Sequence, residues 1–227
     1  VKSIRRAGEP AAATLIPPGS LKGYRSPKGL EFDPQEGRRL LAQAGYPDGK
    51  GFITVELLFS KDGGHDLIVQ SVAKNWEEHL GVRVMLAQKE VKVFRDDLKN
   101  TNFMVSRGSW FGDYGDATTF LDLNRTGDGN NDRKYSNAAY DALLDRAQEE
   151  RDPEARLRIL EEAERILVED DLPLIPMFVY SQIYLFDPHA ITGFSSHPRQ
   201  LQNLFLVDVL GDGKGSDNPM VMERNKN

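Results

Sequence analysis

The sequence has 227 residues, of which 39% are hydrophobic, so the chain is long enough to bury a sizeable core. Its 35 acidic and 29 basic side chains are interspersed and give a formal charge of −6, so no strong positive field exists to attract nucleic acid. The lack of cysteine removes disulfides, cysteine zinc sites and thiol nucleophiles from consideration.

The first 31 residues are dense in proline and glycine between Ala7 and Leu30. This density breaks helices and predicts an extended surface segment that connects the chain to something upstream. Asp33 and Pro34 then supply an N-cap and a proline for the first helical turn, and the helix that they predict ends at Gly45.

An alternation of strands and helices is predicted next. The strands are residues 52–59, 82–87 and 102–106, and the helices between them are residues 67–80 and 90–99. The order is therefore βαβαβ, which implies parallel neighbouring strands in an open sheet flanked by helices. Ligands of such sheets bind beyond the carboxyl ends of the strands, so the segment after residue 106 is the place to search for a site.

Two further helices are predicted at residues 137–150 and 153–169, because each carries the wide apolar stripe of a helix packed on a sheet. The second also carries a set of charged side chains that predicts a solvated face: Arg156, Arg158, Glu161, Glu162, Glu164 and Arg165.

The C-terminal part predicts added strands at residues 174–180, 182–186 and 204–210, followed by a polar, glycine-rich tail at 211–227 that we expect to be disordered. Aromatic side chains alternate along the first two of these strands, which favours sheet core over a ligand pocket: Phe178, Tyr180, Tyr184 and Phe186.

A cation, a flat aromatic ring and an anion follow the third predicted strand within seven residues, as Arg107, Trp110 and Asp113. These side chains suit a zwitterion, because a carboxylate pairs with an ammonium group, a guanidinium pairs with a carboxylate, and an indole offers an apolar wall. The alternative is a local ion pair between Arg107 and Asp113 beside a buried Trp110. His65 lies between the first predicted strand and the helix that follows it. It either faces the same ligand-binding crevice as Arg107, beyond the carboxyl ends of the strands, or is a solvent-exposed loop histidine.

Catalytic and metal sites have weak support in the sequence. No histidines stand at metal-ligand spacing, so we predict no metal and no cofactor. A hydrolase would have to use Ser109 with His65 and Asp113, but the surrounding Gly-Ser-Trp is not the GxSxG of a nucleophile elbow. We therefore predict a protein that is not an enzyme.

Five segments together resemble the C-terminal half of the family 5 extracytoplasmic solute-binding proteins, which are the peptide receptors of ABC importers. They are GEPAAATLIPPG (residues 8–19), FDPQEGRRLLAQAGYPDGKGF (32–52), RGSWFGDYGDATTFLDL (107–123), GNNDRKYSNAAYDALLDRA (129–147) and LPLIPMFVYSQIYLF (172–186).

The resemblance implies an α/β lobe of the periplasmic binding protein type II class with added antiparallel strands. Residues 32–193 would form the C-terminal ligand-binding lobe, and residues 1–31 would be its extended connector from a missing N-terminal lobe. Residues 194–210 would return toward that lobe with a last strand, and residues 211–227 would be the tail. An ABC permease is the implied partner, and the implied location is periplasmic, or extracytoplasmic and membrane-associated.

The resemblance also implies roles for individual residues. Asp113 matches the aspartate that receives a peptide's α-ammonium group, and Arg107 and His65 match residues that meet the carboxylate of short peptides. The backbone of Ser109, Trp110 and Phe111 matches the segment that pairs with the peptide main chain, while Trp110 also forms a pocket wall.

One departure from the family pattern is Val91, which stands in KEVKVF where the family often has tryptophan, and it leaves the size of one pocket open. The alternatives to a peptide receptor are a receptor for nickel, haem or an oligosaccharide, a hydrolase, and an autonomous protein–protein interaction domain.

Overall fold

The computed structural model of the protein describes residues 4, 6, 8–181, 183–195 and 202–210. The chain divides into two compact units, residues 1–179 and 180–227. Among the described residues, none of the helices combines the length and the apolar character that crossing a bilayer requires. The tail predicted at 211–227 lies outside the described residues, and the proposed division into connector, lobe and return segment stays a prediction.

A three-stranded parallel sheet forms the first part of unit one. β1 (Val55–Ser60) lies at its centre, between β2 (Val84–Lys89) and β3 (Val105–Ser106). The crossover helices are α2 (Asp66–Leu80) and α3 (Val91–Lys99). The predicted βαβαβ order and its parallel sheet are therefore confirmed. β1 is the most buried strand because it has a neighbour on either side and its apolar side chains pack against α2.

Helix α1 (Pro34–Gln43) begins where the sequence predicts, because the Asp33 carboxylate accepts hydrogen bonds of 3.0 Å from the backbone N–H groups of Gln35 and Glu36. It ends two residues before Gly45. Helix α2 ends at Gly81, whose φ of 68° provides the left-handed conformation of a helix C-terminus.

A second hydrophobic core is formed by helices that follow the sheet. These are α4 (Thr118–Leu121), α5 (Ala138–Glu149) and α6 (Pro153–Arg165), and α6 continues into a π-helical turn at Ile166–Asp170. The Tyr140 side chain is completely buried there, and its hydroxyl donates a 2.6 Å hydrogen bond to the Leu121 carbonyl. Other members of this core are Leu144, Leu160, Ala163 and Leu167.

The segment of residues 8–31 contains no helix, and most of its residues are exposed or partly exposed, but a few of its side chains anchor it in the core. Ile16 has no exposed surface and belongs to the helical core, and Thr14 is also buried. Proline and glycine content predicts the lack of a helix, yet it carries no information on burial. The same contact corrects the interpretation of α6 as having a fully solvated charged face, because Glu164 is completely buried against this segment.

The strands predicted at 174–180 and 182–186 are not formed by the described residues. Phe178 makes a single antiparallel bridge to Ala11, flanked by hydrogen bonds of 3.0 Å from Ala12 N to Met177 O and from Val179 N to Pro10 O. Pro173 and Pro176 lack the N–H group that a sheet ladder requires, which explains why pairing is limited to this point.

Unit two contains an antiparallel pair, β4 (Ile191–Thr192) with β5 (Asp208–Val209). The strand predicted at 204–210 is therefore shorter than expected, because Leu204–Leu206 forms a 3₁₀ turn before it. The aromatic residues that were expected to form sheet core instead belong to irregular segments, and within unit two the Phe186 ring stacks on Phe194 at 4.6 Å.

Candidate ligand-binding site

Residues 107–116 leave the carboxyl edge of the sheet as a single loop, which we call the site loop. Its start is fixed because Arg107 N donates a 2.9 Å hydrogen bond to Leu58 O, which extends the β3 pairing by one residue. Its end is fixed because Oδ1 of Asp116, two residues before α4 begins, accepts a 3.0 Å hydrogen bond from Thr118 N, the first residue of that helix. The loop therefore joins two firmly held elements beyond the strand ends, as expected for a site in an open parallel sheet.

The site loop presents aromatic rings and one carboxylate to the surroundings. Trp110 is 36% exposed, Phe111 60% and Tyr114 46%, and Ser109 and Asp113 are also exposed. Several large exposed rings beside an exposed acidic side chain are more typical of a binding surface than of the rest of a protein's exterior.

The alternative that Arg107 and Asp113 form a local ion pair beside a buried tryptophan does not fit this arrangement. Trp110 is not buried, and in the part of the chain that the structure describes Arg107 and Asp113 form no ion pair with each other. The Arg107 guanidinium lies 5.9 Å from the centre of the Phe178 ring, a distance at which a cation is attracted to the ring face. Phe178 thus helps to orient Arg107 at the base of the site loop.

The backbone at Asp113 is held by helix α4. Asp113 N donates a 2.9 Å hydrogen bond to Oγ1 of Thr119, a buried residue. Gly112 lies so close to α4 that a Cβ there would meet Phe120 and Thr119 side-chain atoms at 3.2 Å. The exposed Asp113 carboxylate is therefore carried by a backbone of fixed position.

Asp116 connects the site loop to the helical core. Its carboxylate receives two hydrogen bonds from Arg156, of 2.6 Å from Nη1 to Oδ2 and of 3.0 Å from Nη2 to Oδ1. These bonds are the main reason that the pKa of Asp116 falls from 3.8 to about 2, with further lowering by the bonds from Thr118 and an opposing effect of burial.

His65 lies at the N-cap position of α2, five residues after the end of β1. Gly63 and Gly64 before it have φ values of 88° and 65°, and a Cβ at Gly63 would lie 2.6 Å from His65 Nε2, so the imidazole folds back over the glycine turn. Because β1 and β3 are parallel neighbours, their carboxyl ends lie at one edge of the sheet. The fold thus places His65 and Arg107 after strands that end at the same edge, while their facing a common ligand stays a prediction.

Metal binding has no support among the residues that the structure describes, since no three His, Asp or Glu side chains are grouped so as to hold an ion. The hydrolase alternative depends on Ser109, which is exposed in the loop.

Three residues of this region were not assigned to the candidate site from the sequence. Tyr114 adjoins Asp113 and is exposed, and its proximity to an acidic loop residue was a usable signal. Thr119 and Arg156 had no comparable signal, because Thr119 lies in a short helix and Arg156 lies 40 residues from Asp116 in the sequence.

Comparisons with known proteins agree with this architecture. Residues 1–132 match the family model described as bacterial extracellular solute-binding proteins, family 5, middle region. The structure is similar to that of the unliganded open form of the periplasmic murein tripeptide-binding protein MppA, with a TM-score of 0.82 and 27% identity over 92% of this chain and 41% of that one. The fold is therefore of the periplasmic binding protein type II kind.

Two curated relatives illustrate the range of the family. The oligopeptide-binding protein OppA of Bacillus subtilis is 29% identical over 195 residues, which are 82% of this chain and 35% of that protein. The probable deoxycholate-binding periplasmic protein YgiS of Escherichia coli is 32% identical over 195 residues, which are 83% of this chain and 36% of that protein. The chain thus spans about a third of the length of these relatives. Because the family model matches more than half of it, the chain belongs to the family 5 bacterial extracellular solute-binding proteins.

Proposed function

We propose that this chain is the C-terminal lobe of an extracytoplasmic receptor that captures short peptides for an ABC importer. The observation that carries the proposal is the exposed Asp113 carboxylate, set among exposed Trp110, Phe111 and Tyr114 beyond the carboxyl edge of the sheet. Relatives named for binding oligopeptides and a murein tripeptide support it.

Each end of a peptide would have its own partner in this site. Asp113 would bind the α-ammonium group through charge-assisted hydrogen bonds, and Arg107 and His65 would meet the carboxylate of a short peptide. The exposed backbone of Ser109 to Phe111 would pair with the peptide main chain as an added strand does, which provides affinity without reading side chains. Such a receptor would bind peptides of many different sequences.

Binding would act by population shift and would involve no catalysis. A peptide that contacts this lobe and a first, N-terminal lobe favours their closed arrangement, and the closed receptor then docks on a permease in the membrane. This chain would supply only part of the contacts with the ligand, so we expect it to bind peptide weakly when it is separated from the first lobe.

The test is a calorimetric titration of a mixed pool of di- to pentapeptides into the two-lobed receptor that contains this chain. We expect Asp113→Ala to weaken binding by ~30- to 100-fold, because the ammonium group loses its counter-charge. Asp96→Ala, which changes an exposed aspartate of α3, is the matched control and should bind as the wild type does. Undiminished binding by Asp113→Ala, or the absence of binding by the wild type, would contradict the proposal.

A receptor for an amphipathic non-peptide solute is the second candidate, and the relative named as probably deoxycholate-binding favours it. The exposed rings of the site loop suit an apolar ligand as well as a peptide. Titration with sodium deoxycholate separates the two candidates, because such a ligand has no ammonium group. Tight binding that survives Asp113→Ala would move this candidate to first place.

A further inference from the structure

The α4 helix is the element through which the site loop is oriented. Its four residues are separated from the loop by Ala117 alone. Thr119 Oγ1 accepts a hydrogen bond from Asp113 N, and Thr118 Oγ1 lies 3.2 Å from the Tyr114 hydroxyl. A helix of one turn has few hydrogen bonds of its own, so its orientation depends on what holds it from outside.

Apolar packing alone does not fix the N-terminus of α4. Ala117 and Leu121 are buried in the helical core and keep α4 packed against it. Apolar contacts are not directional, however, so they do not set the orientation of the helix. The directional contact is made by Asp116. Its carboxylate accepts hydrogen bonds from Thr118 N and Thr118 Oγ1, and it also accepts one from each terminal nitrogen of Arg156.

Arg156 is itself fixed from the far side. It belongs to α6, and its Nε donates a 3.1 Å hydrogen bond to the Ala147 carbonyl of α5. A planar guanidinium with all three of its donor groups engaged has little freedom, so the Asp116 carboxylate is held relative to the α5–α6 pair. A connected path of hydrogen bonds then runs from Arg156 through Asp116 and α4 to the Asp113 backbone.

We infer that Arg156 is a positioning residue for ligand recognition, which acts through Asp116 and α4 to aim the Asp113 carboxylate at the ammonium group of a peptide. The inference rests on the proposed function. Arg156 would not touch the ligand, and its effect would appear in the part of the affinity that depends on a free ammonium group. It would also neutralise Asp116, so that Asp113 remains the uncompensated anion of the loop.

The readout is a ratio of affinities in the two-lobed receptor. One titration uses a tripeptide pool randomised at every position, and the other uses the same pool acetylated at its N-termini, which removes the ammonium charge. We expect Arg156→Gln and Asp116→Asn each to lower the ratio of free to acetylated affinity by ~5- to 10-fold, and the double variant to lower it no further, because both remove one contact. Arg156→Lys keeps the charge without the two-pronged geometry and should give an intermediate ratio.

Arg125→Gln is the matched control. Arg125 has nearly the same side-chain exposure as Arg156, 30% against 28%, but its 2.6 Å ion pair is with Asp145 of α5 and not with a residue of the site loop. We expect its ratio to equal that of the wild type. A purely structural role for Arg156 would lower the affinities for both pools equally, and an unchanged ratio in Arg156→Gln and Asp116→Asn would overturn the inference while the proposed function stands. A wild-type receptor that binds neither pool, or both equally, would overturn both.

Discussion

The Glu164 carboxylate accepts a 2.7 Å hydrogen bond from the backbone N–H of Ile16, a residue 148 positions earlier in the chain. The other oxygen of Glu164 accepts from the Tyr24 hydroxyl at 2.8 Å. Two more carboxylates, one on α6 and one on its π-helical turn, act in the same way, since Glu161 accepts from Arg25 N and Glu169 from Gly29 N, each at 2.8 Å. Carboxylates of α6 and its π-helical turn thus accept the backbone hydrogen bonds of residues 16–29 that a neighbouring strand would accept in a sheet.

We expect Glu164→Ala to lower the free energy of unfolding by ~3 kcal/mol, because it leaves a buried N–H group without its acceptor and opens a cavity beside Tyr24. Urea unfolding of the protein measures the change. Glu162→Ala, an exposed position on the same helix, should change stability by no more than ~0.5 kcal/mol. Equal losses in the two variants would show that the contact with Ile16 contributes nothing specific.

The contribution of Asp116 to stability should depend on pH in the acid range. Because Arg156 lowers the pKa of Asp116 to about 2 in the folded protein, the stabilisation is present above the ordinary value of 3.8 and is lost as the pH falls toward 2. The carboxylate is partly exposed, so after allowance for solvent screening the effect is ~1 kcal/mol.

The measurement is the free energy of unfolding of the wild type and of Asp116→Asn between pH 2 and pH 7. Other carboxylates titrate in both proteins, so the difference between the two curves isolates Asp116. That difference should shrink as the pH falls from 4 to 2. The change with pH should be smaller when both proteins also carry Arg156→Gln, because only the bonds from Thr118 then lower the pKa of Asp116. A difference that is constant with pH would mean that the ion pair does not lower the pKa of Asp116.

Local patterns in the sequence predicted much of this fold. Asp33 caps α1 as expected, and the alternation of strands and helices between residues 52 and 106 was correct in type and order. These features depend on contacts within a few residues or on hydrophobic periodicity, both of which are visible in a linear sequence. The candidate site was placed after β3 from the topology of parallel sheets, and its role in binding stays a prediction.

Local patterns could not predict contacts between residues that are far apart in the sequence. Glu164 stands in a run of charged residues and was interpreted as solvated, yet it is buried because Ile16 and Tyr24 fold onto it from the other end of the chain. Arg156 was assigned to the same solvated face, and its pairing with Asp116 depends on how α4 and α6 pack. A charged residue on a helix carries no local mark that separates these two environments.

Gly81 and Gly45 both follow a helix in a left-handed conformation, with φ values of 68° and 96°, but their surroundings differ. A Cβ at Gly81 would lie 2.2 Å from the Asp48 carbonyl oxygen, whereas a Cβ at Gly45 would meet nothing within 4 Å. We expect Gly45→Ala to cost ~1 kcal/mol from backbone strain and Gly81→Ala to cost at least ~1–3 kcal/mol more, because backbone must move. Thermal or urea unfolding of both variants tests this, and equal losses would refute the close approach of α2 to the turn at Asp48.

The hydrogen bond from Asp113 N to Thr119 Oγ1 can be tested without any ligand. Thr119→Val replaces the hydroxyl with a methyl group of similar size in a buried position, so the packing of α4 is nearly kept while the acceptor is lost. We expect the amide hydrogen of Asp113 to exchange ~5- to 10-fold faster in the variant, as the loss of about 1 kcal/mol of protection implies.

Thr119→Ser retains an acceptor and should protect the Asp113 amide nearly as well as the wild type does. The exchange of amides in β1 must stay slow in both variants, because a general rise would indicate a loss of global stability in place of a local change. If the Asp113 amide exchanged at the same rate in Thr119→Val and in the wild type, α4 would not restrain the site loop, and the path from Arg156 to Asp113 would be broken at its last step. Faster exchange confined to the loop would instead establish the mechanical connection on which the aiming of the Asp113 carboxylate depends.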